Sequence, residues 1–162
     1  MALGKICFLV SSILAGIFIS SGAGGNQWLK IKTNKYVTKH DIGLWKVCGE
    51  LNCKTIGNDL GDKEKWYKAT RAFAVISCLV IIAGIILAIL ALVSDKVKSI
   101  IGGILMFCGG GCMLVALAIF TDKQDFDSIY FKYQYGWSYI IGWIGVAVSI
   151  VSGVLGIMAE KF

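Results

Sequence analysis

Four long apolar runs, separated by polar segments of very unequal length, dominate the chain: Ile6 to Gly25, Ala72 to Val93, Ile100 to Phe120 and Trp137 to Ala159. Each is long enough to cross about 30 Å of hydrocarbon as a helix, which takes roughly 20 residues. The runs predict four transmembrane helices joined by residues 26–71, 94–99 and 121–136. The link Ser94-Asp95-Lys96-Val97-Lys98-Ser99 is so short that helices two and three must be antiparallel neighbours. With four crossings, the chain ends and this link share one face, and the two longer segments share the other. No linker, internal repeat or low-complexity tract interrupts residues 1–162, so one domain is expected.

The first polar segment has its own pattern. Leu29, Ile31 and Thr33 alternate with Lys30 and Lys32, the two-residue period of a strand with one wet face. Leu44-Trp45-Lys46-Val47 repeats it, and Cys48 to Cys53 would close the next turn. Two or three short strands on the helix ends are expected. The fold class is therefore an all-α membrane protein, a four-helix bundle carrying a small antiparallel β-sheet. Asn58-Asp59-Leu60-Gly61-Asp62 is turn chemistry, and Lys63 to Lys68, with Trp66 and Tyr67, leads into helix two.

Composition agrees. The chain is 57% hydrophobic and 16% charged, with a mean hydropathy of +0.75, too apolar for a water-soluble domain. Lys5, the apolar core Ile6 to Ile19 and Ser21-Gly22-Ala23 together resemble a secretory signal, but the run continues past the usual length of such a core, which favours a retained helix.

Orientation rests on two signals that conflict. The face with the chain ends has Lys5, Lys96, Lys98 and Lys161, whereas the loop face has twelve Lys or Arg, so the positive-inside rule would put the loops in the cytoplasm. Of six cysteines, only Cys48 and Cys53 lie in a polar loop, at a spacing that suits a tight hairpin. A disulfide there requires an oxidising compartment; the alternative is two free cytosolic thiols. All five Trp and all six Tyr lie in the loops or the adjoining half of helix four, marking that face as the structured one. The cysteines carry more weight, and they predict both termini cytoplasmic; the expected location is the plasma membrane.

Residues 26–71 hold ten Lys or Arg against five acids, a balance of +5. Beyond a solvated lysine face, that makes a basic surface able to attract anionic lipids, glycans or an acidic partner. Arg71, at the mouth of helix two, is expected to snorkel to the headgroups or to pair with a carboxylate such as Asp41 or one of Asp122 to Asp127. No Asn-x-Ser/Thr sequon occurs at Asn26, Asn34, Asn52 or Asn58.

Chemistry is sparse. His40 beside Asp41 is tied to no nucleophile by any motif, and no cluster of His, Cys and carboxylates suggests a metal. No charged side chain lies well inside a run, which argues against a pump or carrier. Catalytic residues, cofactors, metals and nucleic acid are not expected. The helices do carry small residues four apart: Ser12, Gly16, Ser20 and Gly24 in the first, and Gly145, Ser149 and Gly153 in the fourth. In lipid such residues let backbones approach, either within the bundle or between copies.

Trp28, then Gly43-Leu44-Trp45, Cys48 and Cys53, with Arg71 opening helix two, resemble the signature of the claudin-related superfamily of small tetraspan proteins. Within it, the chain is most similar to the branch of peripheral myelin, epithelial membrane and lens fibre membrane intrinsic proteins, the lens members above all. The four residues between the cysteines carry that likeness, with Lys65-Trp66-Tyr67-Lys68-Ala69-Thr70-Arg71-Ala72-Phe73, Ala116-Leu117-Ala118-Ile119-Phe120-Thr121 and Gly136-Trp137-Ser138-Tyr139-Ile140-Ile141-Gly142-Trp143. The resemblance implies an extracellular sheet stitched by the cysteine pair, cytosolic termini, and roles in junctions, membrane apposition and lens fibre packing without enzymatic chemistry. Two features depart from the branch: the missing sequon and a tail of only Glu160-Lys161-Phe162, which makes scaffold-anchored strands doubtful.

The expected function is thus cell–cell adhesion, junction formation or membrane organisation. A claudin-like paracellular barrier or pore, or an auxiliary subunit of another membrane protein, are the alternatives. The expected partners are the lipid bilayer, further copies of the chain in cis and in trans, and other membrane proteins. For trans contact, the acidic Asp122, Asp125 and Asp127 are the expected complement to the basic first loop.

Overall fold

Bulky apolar side chains point outward on all four helices and small polar ones point in. Ile13, Ile17, Leu79, Ile82, Ile104 and Ile140 are exposed, while Ser12, Ser77, Ser149 and Ser152 are fully buried. That inversion belongs to a helix bundle whose solvent is hydrocarbon. The computed structural model describes residues 2–33, 39–49, 51–56, 65–94, 96–123 and 131–161. Its helices are α1 (Ala2–Gly24), α2 (Lys65–Val93), α3 (Ser99–Lys123) and α4 (Trp137–Met158), all long and apolar enough to cross a membrane. They form a ring in which α1 packs on α2 and α4, and α3 packs on α2 and α4.

The strands are β1 (Leu29–Thr33), β2 (Lys39–Ile42), β3 (Lys46–Cys48), β4 (Cys53–Thr55) and β5 (Phe131–Tyr135). They form one antiparallel sheet in the order β4-β3-β2-β1-β5. β1 pairs on one side with β2, Leu29 opposite Ile42, and on the other with β5, Leu29 opposite Tyr135. Both long polar segments therefore contribute to a single sheet, at the end of the bundle where α1 stops and α4 starts.

Several boundaries differ from those the sequence predicts. Helix α2 begins seven residues before Ala72, because a helix satisfies its own backbone and continues past the hydrocarbon edge despite Lys65, Lys68 and Arg71. Helix α1 begins at Ala2 rather than Ile6, and α3 runs on to Lys123, which puts Asp122 in its last turn. Gly43-Leu44-Trp45 is not strand but the turn joining β2 to β3, closed by Gly43 N–H donating to Lys46 O at 2.9 Å. Strands β2 and β5 are additions to the two or three that the sequence pattern predicts. The turn sequence 58–62 lies outside the described residues.

Candidate functional site

The sheet is fastened to the bundle by a collar of aromatic and cationic side chains. Trp28, between α1 and β1, has no exposed surface. Its indole N–H donates to Gly22 O at 2.8 Å, and its ring meets Phe120 of α3 edge-on at 4.8 Å and Tyr139 of α4 at 6.2 Å. One side chain thus gathers three helices, and its single polar atom is satisfied. Its backbone joins the sheet as well: Trp28 N–H donates to Ile42 O, and its carbonyl accepts from Gly136 N–H, both at 2.9 Å. Gln27 adds further ties, its amide Nε2 donating to Asp41 Oδ2 at 2.7 Å and its carbonyl accepting from Ser138 N–H at 3.2 Å.

The opposite side of the collar is built around Arg71. Its Nε donates to Leu44 O at 2.7 Å, and its guanidinium lies 4.7 Å from the centre of the Tyr67 ring and 5.3 Å from that of Trp45. Leu44 is fully buried, Trp45 Nε1 donates to Ala23 O at 2.9 Å, and Tyr67 Oη donates to Gly43 O. A planar cation between two rings, donating to a carbonyl, holds the turn onto α2. This corrects the expected pairing of Arg71 with Asp41, while Asp125 and Asp127 lie outside the described residues. The Arg71 guanidinium is half-buried against the two rings, and Asp41 is hydrogen-bonded to Gln27; among the described residues Arg71 forms no ion pair. The residue has moved inside the helix because α2 starts earlier, which turns it toward the sheet.

Cys48 and Cys53 face each other across β3 and β4, bonded with an S–S distance of 2.02 Å and Cα atoms 4.0 Å apart. The turn between them is closed by Gly49 N–H donating to Asn52 O at 2.9 Å. Cys7, Cys78, Cys108 and Cys112 are free thiols. Asp122 is exposed and lies 3.5 Å from Lys123, while Asp125 and Asp127 fall outside the described residues.

The two small-residue series fare differently. Gly145, Ser149 and Gly153 are all buried and spiral from α1 to α3. A Cβ on Gly145 would meet Ile19 N at 3.0 Å, Ser149 donates to Met106 O at 2.5 Å, and a Cβ on Gly153 would meet Phe107 at 2.7 Å. In α1 the first three of the series touch neighbouring helices, Ser20 through a side-chain hydrogen bond with Cys78 of α2. Ser12 shares a hydrogen bond with Ser152 at 2.8 Å, and Gly16 faces Ile85 of α2. Gly24 is exposed with nothing within 4 Å of a Cβ. A four-residue step overshoots the helical turn by about 40°, so the series walks off the packed face. A close backbone approach between α1 and α4 is one that sequence reasoning missed. At Gly22 an added Cβ would stand 2.8 Å from Gly142 Cα.

Among the described residues no group of three or more His, Cys, Asp or Glu could hold a metal ion, and His40 is an exposed strand residue beside Gly49. What this arrangement can do is hold a rigid, basic, aromatic-footed sheet off one end of a membrane bundle.

The chain matches the PMP-22/EMP/MP20/Claudin family over residues 1–156. It is 26% identical to lens fiber membrane intrinsic protein of Homo sapiens over 165 residues, covering 98% of this chain and 90% of that protein. It is likewise 26% identical to epithelial membrane protein 1 of Homo sapiens over 160 residues, 92% of this chain and 98% of the relative. Epithelial membrane protein 2 of Homo sapiens is 23% identical over 129 residues, covering 73% and 77% of the two chains.

Proposed function

On the footing that the chain belongs to the PMP-22/EMP/MP20/Claudin family, we propose that it is an adhesive, membrane-organising protein whose sheet meets a neighbouring membrane. Its four membrane-spanning helices make it a multi-pass membrane protein. The observation that carries the reading is the union of both long polar segments in one sheet, pinned to one end of the bundle by Trp28 and Arg71. The disulfide supports placing that sheet outside the cell, and with it both termini in the cytoplasm of a plasma-membrane protein. Its job is mechanical rather than catalytic.

The contact we favour is between copies in facing membranes. Two identical loops of net charge +5 repel, so trans contact pairs the basic first loop of one copy with Asp122, Asp125 and Asp127 of the other. Protein in liposomes should cluster vesicles, and less so as salt rises, because exposed charge pairs are screened beyond about 8–10 Å. Asp125→Lys combined with Asp127→Lys should abolish clustering. Vesicles that stay dispersed at low salt and high protein density would defeat the adhesive reading. An auxiliary subunit would then lead, and capture from native membrane would show whether a channel or a second copy dominates.

A further inference from the structure

Residues opposite one another in an antiparallel sheet share a face, as do alternate residues along each strand. The register therefore sorts the sheet into two faces. One has Tyr135, Leu29, Ile42 and Val47 in a row near the bundle, then Tyr133, Ile31 and His40 farther out. Leu29 is buried, and Ile31 and Ile42 pack against the core, so the protein uses much of this face itself. The other face starts with Lys46 and Thr55 nearest the bundle. Gln134, Lys30, Asp41, Cys48 and Cys53 follow, and then Lys132, Lys32 and Lys39. Gln134, Lys46, Cys53 and Thr55 are exposed, and Lys30 is half-buried. Five lysines thus share a face with one acid, Asp41, which accepts from Gln27 and forms no ion pair with Lys30 opposite it among the described residues. In the row remote from the bundle, three lysines stand abreast on adjacent strands, a line of about 10 Å. Like charges so opposed cost stability, and within the strands no acid relieves that row. Glu50, two residues past β3, lies outside the described residues. The sequence from 30 to 39 has four lysines and no acid.

We infer that this face binds a linear sulfated glycan, whose charges follow the row of Lys132, Lys32 and Lys39 and continue to Lys30 beside it. The complement of a line of closely spaced cations is a chain with several anions at short intervals, not one isolated phosphate or carboxylate. Acidic lipid is a poorer complement. Anionic lipids belong to the cytoplasmic leaflet, whereas this sheet is read as extracellular, and the lysine row carries no apolar side chain to insert. Asp122, Asp125 and Asp127 of a facing copy would answer at most three of the five lysines, and a glycan chain can answer all of them. The inference rests on the reading that the sheet lies outside the cell, and it needs no adhesion between copies.

The test uses the full chain in phosphatidylcholine nanodiscs, with a heparin oligosaccharide as the probe. Wild type should bind it, and less so as salt rises. Lys32→Gln, Lys39→Gln and Lys132→Gln together should weaken binding about a hundredfold. Lys96→Gln, Lys98→Gln and Lys161→Gln remove the same net charge at the other end of the bundle and should change it by no more than about twofold. Non-reduced peptide mass and thermal unfolding check that both variants keep the disulfide and the fold. Equal losses in the two variants would mean attraction by net charge alone, with no site. Tighter binding to phosphatidylserine vesicles than to the oligosaccharide would make the face a lipid surface, and binding to neither would leave the lysines merely solvated. Each of these outcomes overturns the inference and leaves the extracellular placement standing. Binding in nanodiscs, with none on intact cells that carry the chain in their plasma membrane, would overturn the placement instead, and the inference goes with it.

Discussion

The seam between α1 and α4 and the collar beneath the sheet hold the same helices by opposite means. In the seam, glycine and serine bring backbones together: Gly22 against Gly142, Gly145 against Ile19, Ser12 against Ser152. In the collar, the largest side chains of the molecule spread across several elements, each with its polar atom on a carbonyl: Trp28 on Gly22, Trp45 on Ala23, Arg71 on Leu44. The contrast follows the solvent. Lipid tails compete equally well for apolar surface, so helices inside the membrane associate where close fit adds dispersion contacts. At the membrane edge, aromatic area can again be hidden from water, and its N–H groups find partners.

The comparison breaks most severely at Gly22. Gly22→Leu would drive a side chain into the Gly142 backbone, which has no flexible end to give way, and the expected outcome is retention in the endoplasmic reticulum with no assembled protein on a native gel. Gly24→Leu, two residues along and open, should be delivered normally. Equal behaviour of the two would show that the seam is not what positions α1. Gly16→Leu should fall between them, since the atom it meets is the tip of the Ile85 side chain.

In the collar, Trp28→Ala should cost about 3–5 kcal/mol, the range for emptying a buried aromatic site. Trp28→Phe removes the hydrogen bond to Gly22 together with part of the ring bulk and should cost about 1–3 kcal/mol. Thermal unfolding in detergent, followed by cysteine accessibility, reads both. The smallest effect belongs to Ser152→Ala, about 0.6 kcal/mol, because interhelical hydrogen bonds in membranes are weak on average. A larger loss there than at Trp28→Phe would overturn the division of labour.

The spans were legible because an uninterrupted apolar run of about twenty residues is longer than a strand or an ordinary core helix uses, and it matches the thickness of a bilayer. The strand at Leu29–Thr33 was legible from its alternation, and the disulfide from the segregation of two cysteines from four. Strand β2 was not, since Lys39-His40-Asp41 has no apolar alternation and is strand only because β1 and β3 flank it. Strand β5 had a signal in Phe131-Lys132-Tyr133-Gln134-Tyr135, but its partner lies about a hundred residues earlier, and local pattern does not encode pairing at that range. The environment of Arg71 was hidden for a related reason. Its cover comes from a turn that the Leu44-Trp45 pattern made look like strand.

The pairing of β1 with β5 also sets an order in time. The ribosome delivers β1 before α2, and β5 only after α3, so one edge of β1 stays open while two helices are still being made and inserted. An unpaired edge of that kind is a template for wrong association. Completion of the sheet is therefore a late biosynthetic event, reporting that the third helix has crossed and the chain has returned to the correct side. A nascent molecule stalled before residue 131 would carry the disulfide hairpin and an unsealed β1 edge together.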